Sequence, residues 1–298
     1  MVKYLHILIG MIAFLIFQSI VAAQHATLQN SEIIVYYEPS LKSVAAEIVR
    51  LYPILKQELE EMFGWSLPAK PQVVVVKKNQ SFQKIARNKL FVAFALPEKN
   101  LIVVDNSRVN IRPFTLNVTL KHELCHLLLH SHISDENLVR WFDEGICQWV
   151  SDGMGEIFIE KSWSGLDAAI VAGRHLPLVR LTKKFPQDKA SLILAYEQSK
   201  SVVAYINKKY GENAVLNLLG HLKNGATMDA ATQKSLGVSI DQLEKEWLKH
   251  LERTPRWLVY LANNLYAILF FLAALLTIFG FIKRLARKRA WDNEEREE

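Results

Sequence analysis

The segment His122–His126, with the sequence HELCH, constrains this chain more than any other feature. It lies in an apolar, leucine-rich run that predicts a buried helix. On a helix, residues four apart lie about 40° apart in projection, so His122 and His126 lean the same way. Two imidazoles and a carboxylate buried on such a helix must be paired or must bind a metal ion. The segment therefore predicts a helix that presents two histidines to one metal ion.

The same segment gives Glu123 a separate role. H-E-x-x-H is the pattern in which two histidines bind zinc and the glutamate acts as the general base of a hydrolase. Glu123 follows the first histidine directly and can reach a water molecule in the open coordination position of the metal. An amphipathic helix with two histidines at its polar edge is the alternative. The leucines of the helix argue against it: Leu120, Leu124, Leu127 and Leu128.

A catalytic zinc ion usually takes three protein ligands, and the segment 139–149, VRWFDEGICQW, offers a third. Glu144 follows His126 by 18 positions (144 − 126), enough chain to end one helix and send a second back past the metal. Gly145 lets backbones approach closely. The aromatic residues on both sides of Asp143 and Glu144 favour burial over an ordinary solvated pair of acids.

Together the two segments closely resemble the gluzincin branch of zinc peptidases, in particular the bacterial peptidase MA-like domains. In that family, H-E-x-x-H is followed by W-x-x-E-G, whose glutamate is the third ligand. The resemblance implies one zinc ion per chain, bound by His122, His126 and Glu144, with Glu123 as the general base. It covers residues 31–251 and is most specific at the zinc site.

The resemblance extends to two later segments. The sequence AYEQS at 195–199 is similar to the Y-x-x-S helix of the family. It makes Tyr196 a candidate second donor to the oxyanion, because gluzincin-like peptidases often use a tyrosine from a later helix. Packing in the core is the alternative role for Tyr196. Residues 237–247 are similar to the closing helix of the family, whereas Cys147 stands where the family usually has a small residue such as alanine.

His132 is a rival third ligand. In the metzincin pattern H-E-x-x-H-x-x-G-x-x-H, the last histidine falls on His132 and the glycine falls on Leu129. That glycine lets the chain leave the helix and return to the metal, and leucine suits such a turn poorly. The sequence therefore favours Glu144 over His132.

The two ends of the chain predict export and membrane anchoring. Lys3, the apolar run 5–17 and the small residues before Gln24 are typical of a cleaved signal peptide, with an uncleaved anchor as the alternative. An apolar segment near the C-terminus is long enough to cross a bilayer, and the basic residues after it mark the cytoplasmic side. The predicted organisation is a signal peptide (1–23), an extracytoplasmic peptidase domain (24–256), a transmembrane helix (257–282) and a cytoplasmic tail (283–298).

The charge of the chain narrows the possible classes of binding partner. Of the net charge of +6, the tail contributes +1 (six basic minus five acidic residues) and Lys3 contributes +1. The remainder, +4 (6 − 1 − 1), does not imply nucleic-acid binding.

The chain has two cysteines, Cys125 and Cys147, one in each site segment. They predict either a disulfide between two packed helices in an oxidising compartment or two buried free thiols.

The predicted fold class is α+β: a zincin-like ectodomain with a small mixed N-terminal β-sheet and a helical C-terminal part, followed by one transmembrane helix. Strands are predicted at 31–38 and 73–76, and a hairpin is predicted from 91–95 and 101–104. Helices are predicted at 40–63 and 191–210, with the two site helices between these two. A last helix is predicted to start in a capping box at 239–242.

The predicted function is that of a single-pass plasma- or inner-membrane zinc peptidase. Its catalytic domain is expected to be periplasmic or extracellular and to cleave protein or peptide substrates near the bilayer that holds its C-terminal helix. The 91–104 hairpin is predicted to hold the substrate backbone by β-addition. A catalytically silent, membrane-anchored binding or assembly factor on the same scaffold is the alternative, and a non-peptide amide substrate is a third possibility. The presence of all four zinc-site residues favours the enzyme.

Overall fold

The computed structural model describes residues 26–68, 70–77, 82, 90–109, 115–152, 166, 169–170, 172–253 and 265–294. The predicted signal peptide lies outside these residues, and so does the start of the predicted transmembrane helix. The chain divides into two compact units, Met1–Leu248 and Lys249–Glu298.

A mixed five-stranded sheet forms the N-terminal part of the first unit. Its strands are β1 (Ala26–Gln29), β2 (Ile34–Tyr37), β3 (Gln72–Val76), β4 (Ala93–Leu96) and β5 (Leu101–Asp105). Their order in space is β1-β2-β3-β5-β4. The three central strands are parallel, and β1 and β4 pair antiparallel at the two edges. The small mixed sheet was predicted, but β1 was not, because its four residues include none that is buried.

The central strands are mostly apolar because both faces of the sheet are covered. In β3 four consecutive valines are buried, and all five residues of β5 are buried. Helix α1 (Lys42–Phe63) makes the crossover between the parallel strands β2 and β3. It ends where predicted, at Gly64, which takes a left-handed conformation and donates its N–H to the Glu60 carbonyl.

The predicted hairpin is present and places β4 at an edge of the described sheet. A short 3₁₀ turn, Pro97–Lys99, and Asn100 in the left-handed conformation connect β4 to β5. Asparagine tolerates that conformation better than most residues. The first site helix, α2 (Leu116–His132), packs against β4 and β5 and against α1. The sheet edge and the helix with the HELCH segment are therefore neighbours.

After α2, the described residues up to 253 are mainly helical, as predicted. The helices after α2 are α3 (Arg140–Ser151), α4 (Lys189–Tyr210), α5 (Glu212–Lys223), α6 (Met228–Leu236) and α7 (Ile240–Arg253). Helix α4 begins two residues earlier than predicted because the Asp188 side chain caps it, accepting the N–H of Ser191 at 2.9 Å. At α7 the Ser239 hydroxyl accepts the Gln242 N–H at 3.2 Å, which is half of the predicted capping box.

The second unit contains the helix α8 (Leu265–Glu294). Its part Leu265–Arg284 is 20 residues long and apolar enough to cross a membrane. Large apolar side chains project outward along it, and that of Phe270 is 78% exposed. The helical backbone continues past residue 282, the predicted end of the span, into the segment predicted as a tail.

Helices α3 and α4 are in close contact at Gly145. A Cβ atom at this position would lie 2.5 Å from the Ser199 carbonyl oxygen and 2.6 Å from Cγ2 of Val203. Both distances are far inside van der Waals contact, and a backbone carbonyl cannot move aside cheaply. The glycine after Glu144 therefore sets the separation of two buried helices.

Replacing Gly145 by alanine is expected to lower the free energy of unfolding by about 1–3 kcal/mol, because the added methyl overpacks the α3–α4 contact. Gly220→Ala is the matched control: Gly220 is also inside a helix, but a Cβ there meets nothing within 4 Å. That change should raise stability by up to about 1 kcal/mol through helix propensity alone. Urea unfolding with a metal chelator present measures both, and equal shifts would contradict the packing argument.

Candidate active site

Helix α2 buries the HELCH segment completely. The Thr115 side chain caps the helix by accepting the Val118 N–H at 3.3 Å. His122 and Glu123 are fully buried, and His126 is 3% exposed. The predicted buried helix is therefore present, and its imidazoles and carboxylate need partners inside the protein.

Helix α3 brings the second segment back against α2 and buries its acids as well. Glu144 is fully buried and Asp143 is 1% exposed, between the buried aromatic residues Trp141 and Phe142 and the buried Ile146. The prediction that these acids are not an ordinary solvated pair is confirmed.

Three side chains from the two helices converge on one point. His122 Nε2 lies 3.2 Å from His126 Nε2. Glu144 Oε2 lies 3.5 Å from His122 Nε2 and 3.7 Å from His126 Nε2. A tetrahedral zinc ion with bonds of about 2.0–2.1 Å needs donor atoms ~3.3–3.4 Å apart. Two imidazole nitrogens and a carboxylate oxygen at these separations fit a zinc ion.

Glu123 lies beside this group without belonging to it. Among the described residues, two groups could share a metal ion: His122, His126 and Glu144, and the overlapping group His126, His130 and Asp143; neither includes Glu123. Glu123 is next to His122 on α2 and is fully buried. It is therefore not one of the three donors, and its role as the general base stays a prediction.

Asp143 and Arg140 hold the donors in place. Asp143 Oδ1 lies 2.7 Å from Nδ1 of His126, so the other ring nitrogen, Nε2, faces the three-donor point. Arg140 contacts Asp143 Oδ2 at 3.3 Å and forms an ion pair with Oε1 of Glu144. His126 and Glu144 thus each present one donor atom to the three-donor point. A neighbouring side chain holds the other polar atom of each residue.

These contacts shift the protonation of the whole cluster. Burial disfavours a charged imidazole, but the Asp143 and Glu144 carboxylates raise the pKa of His126 well above its usual range. Burial would also raise the carboxyl pKa values, yet His126 and Arg140 hold the pKa of Asp143 and that of Glu144 well below their ordinary values. A metal ion at the three donors therefore competes with a proton on His126.

The sequence analysis did not identify His130 and Arg140, or the role of Asp143. His130 Nε2 lies 3.3 Å from Asp143 Oδ2, and its Nδ1 lies 2.8 Å from Asp135 Oδ1. The available signal was spacing: His130 is one further turn along the face of His122 and His126, and Arg140 stands three and four residues before the two acids.

His132, the rival third ligand, points elsewhere. Its Nε2 lies 2.9 Å from the Ser66 carbonyl oxygen, and its ring is 5.1 Å from that of Trp65. It therefore contacts the segment after α1 and does not join the three-donor group, which supports the preference for Glu144.

Tyr196 is buried on α4, with 2% of its surface exposed. Its ring packs edge-on against Phe185, with the centroids 5.0 Å apart, and the Arg140 guanidinium lies 5.9 Å from the same Phe185 ring. Phe185 thus contacts both the Tyr196 ring and the Arg140 side chain, and Arg140 in turn pairs with Glu144. Its catalytic role stays a prediction.

Cys125 and Cys147 are both buried free thiols, the second of the two predicted states. Burial, reinforced by a hydrogen bond with Cys125, raises the pKa of the Cys147 thiol well above its usual value.

Several solved structures resemble the chain at low sequence identity. Native yeast LTA4 hydrolase is 14% identical over 78% of this chain and 38% of its own, with a TM-score of 0.45. An M1 zinc metallopeptidase from Deinococcus radiodurans is 13% identical over 76% and 51%, with a TM-score of 0.42. Legionella pneumophila aminopeptidase A is 15% identical over 76% and 28%, with a TM-score of 0.43. The chain spans between about a quarter and a half of the length of these proteins.

A comparison with curated proteins finds no match. The family model of the Peptidase MA superfamily matches residues 75–253, which is 179 of the 298 residues (253 − 75 + 1). The matched region contains β4, β5 and both site helices. The chain therefore belongs to the Peptidase MA superfamily.

Proposed function

We propose that this protein is a membrane-anchored, zinc-dependent peptidase that hydrolyses peptide bonds in extracytoplasmic protein or peptide substrates. One observation carries the proposal: His122, His126 and Glu144 present three donor atoms 3.2–3.7 Å apart, next to the buried carboxylate Glu123. Membership of the Peptidase MA superfamily supports the reaction class.

The three donors would hold one zinc ion per chain. When bound, zinc lowers the pKa of a water molecule and polarises a carbonyl oxygen. The protein prepares the donors for that ion. Asp143 holds His126 through Nδ1 and so fixes the tautomer that exposes Nε2. Arg140 engages Oε1 of Glu144, which leaves Oε2 towards the histidines.

Glu123 would act as the general base and then as the acid. Its carboxylate takes a proton from the attacking water and passes it to the leaving amine. Because the residue is fully buried, the proton is exchanged with the substrate and not with bulk solvent. Tyr196 would donate its hydroxyl hydrogen to the oxyanion that develops on the substrate carbonyl.

Strand β4 would hold the substrate backbone. It is one of the two edge strands of the described sheet, and α2 packs against it. An extended peptide can pair with the exposed N–H and C=O groups of an edge strand. A peptide in this position lies alongside the helix that carries His122 and Glu123, which favours a peptide over a compact amide substrate.

The C-terminal helix would anchor the protein in the plasma or inner membrane. The part Leu265–Arg284 has the length and composition of a span. Basic residues stand at its last two positions, 283 and 284, and follow it at 287, 288 and 289, and basic residues favour the cytoplasmic side. With residues 1–23 as a signal peptide, the peptidase domain would lie outside the cytoplasm and the C-terminus inside.

Zinc content tests the ligand set. The full chain in detergent micelles should hold about one zinc ion, as a three-ligand catalytic site does. His122→Ala and Glu144→Ala should each lose most of that metal after dialysis, because two protein donors bind zinc much more weakly than three. His132→Ala is the matched control and should keep it, since His132 contacts the Ser66 carbonyl. Atomic absorption measures all four proteins. Loss of zinc in His132→Ala with full content in Glu144→Ala would assign the third ligand to His132.

Glu123→Gln separates metal binding from chemistry. The substitution keeps the size of the side chain and removes its basicity, so zinc content should be unchanged. Turnover should fall by at least about 10²–10⁴-fold, the usual contribution of a general base. Hydrolysis of a library of quenched fluorescent peptides measures it. A zinc-loaded wild type that cleaves none of the library, like Glu123→Gln, would favour the alternative, a silent binding or assembly factor. Equal turnover of wild type and Glu123→Gln would exclude Glu123 as the base.

Tyr196→Phe is the companion variant. It keeps the ring that packs on Phe185 and removes only the hydroxyl. If the hydroxyl stabilises the oxyanion, kcat should fall roughly 10–10³-fold with zinc content and stability retained. Full activity would leave Tyr196 with a packing role only.

Reporter fusions test the topology. A reporter fused after Arg289 should be cytoplasmic, and one fused after Leu251 should be outside, because basic residues follow the apolar helix. The reverse pattern would refute both the location and the proposed pool of substrates.

A further inference from the structure

A short segment between α3 and α4 concentrates the positive charge of the chain. Residues 174–189, RHLPLVRLTKKFPQDK, have a net charge of +4, from five basic residues and one acid (5 − 1). Residues 4–282 as a whole also have a net charge of +4 (6 − 1 − 1), so the rest of that range sums to zero (4 − 4). We call residues 174–189 the basic segment. Its basic residues are Arg174, Arg180, Lys183, Lys184 and Lys189.

The charges of the basic segment face solvent and are not neutralised. All five basic residues are exposed. Within the described part of the chain, none of them belongs to an ion pair. The one acid of the segment, Asp188, caps α4 by accepting the Ser191 N–H at 2.9 Å. The segment therefore presents a concentrated positive potential that attracts an anionic partner.

A turn of 3₁₀ helix, Leu178–Leu181, places an apolar side chain among these charges. Leu178 and Leu181 are buried and anchor the turn, whereas Val179 between them is 69% exposed. Among the described residues of the first unit, the exposed large apolar side chains are those of Val179 and Ile54. An apolar tip flanked by basic residues suits the surface of an anionic bilayer, where the tip enters the headgroup region and the cations meet the phosphates.

The basic segment is bonded to the active-site helix α3 and to α7. The Thr182 carbonyl accepts the Arg140 N–H at 2.7 Å, at the start of α3. Glu244 on α7 accepts the Leu178 N–H at 3.1 Å. Helix α7 ends at Arg253, 12 positions before the candidate membrane span (265 − 253). Twelve residues reach at most about 40 Å, so the first unit cannot move far from a bilayer that holds the span.

We propose that the basic segment is a docking surface for the anionic headgroups of a lipid bilayer, with Val179 at headgroup level. The proposal rests on the membrane anchoring proposed above and adds the class of lipid. Docking would hold the start of α3, and with it the active site, close to the lipid surface. An acidic peptide would meet the same cations but offers no apolar phase for Val179, so the exposed valine favours the bilayer.

The test places a fluorescent reporter at the tip of the turn. The full chain carrying Val179→Cys is labelled with an environment-sensitive dye and reconstituted in lipid nanodiscs. Cys125 and Cys147 are buried, and wild type taken through the same labelling measures the background. Discs of phosphatidylcholine are compared with discs that also contain phosphatidylglycerol. A chelator is present throughout, so the readout depends on neither zinc nor peptide turnover.

In the anionic discs the dye emission should shift to the blue and rise in intensity. The change should be lost in about 1 M salt, where the Debye length falls to about 3 Å. Lys183→Gln with Lys184→Gln should lower the docked-to-free ratio about fivefold for each charge removed. Lys42→Gln with Lys77→Gln removes two charges from exposed lysines outside the segment and is the matched control. It should keep the change, and a dye on Ile54→Cys should report none.

Three results would overturn the proposal: equal emission in the two kinds of disc, equal loss in the two double variants, or a larger response to poly-glutamate in phosphatidylcholine discs than to anionic lipid. The last result would make the segment a surface for acidic peptides. A chain that does not enter the discs would count against the proposed anchoring alone. The labelled chain is then titrated with vesicles of the two compositions, where a response to anionic vesicles only supports the docking surface and equal responses overturn it.

Discussion

The burial of charged groups between α2 and α3 is the constraint on which the rest of the structure depends. Two carboxylates, Asp143 and Glu144, and two imidazoles are removed from water at the contact of these helices. An unpaired buried charge costs several kcal/mol, so the helices can pack only if the charges match. Arg140 supplies one positive charge through its ion pair with Glu144. The two carboxylates raise the pKa of His126 well above its usual range, which favours a proton there that a divalent cation can replace.

The close approach at Gly145 makes this charge matching geometrically possible. Glu144 reaches the histidines from one side of α3, and α4 packs on the other side so tightly that no Cβ fits. Helix α3 therefore packs on two neighbours. The close contact with α4 at Gly145 fixes the position of α3, and the histidines of α2 pair with its carboxylates. The donor separations of 3.2–3.7 Å follow from that placement and not from any local loop.

Most of this arrangement could be predicted from the sequence because each part has a short-range signature. The HELCH segment has helical spacing, and the valine run of β3 is typical of a buried strand. Gly64 indicates the end of a helix, and Gly145 indicates a close contact between backbones. The unpredicted parts depend on tertiary contacts. Strand β1 has no apolar pattern of its own and exists because β2 offers it an edge. The pairing of His130 with Asp143 joins two helices across a turn.

The proposed zinc binding would couple metal affinity to the stability of the fold. A zinc ion that binds only the packed α2–α3 pair adds its binding energy to the stability of that pair. The two helices are therefore expected to behave as a single cooperative unit, in which Asp143 holds His126 and Arg140 holds Glu144.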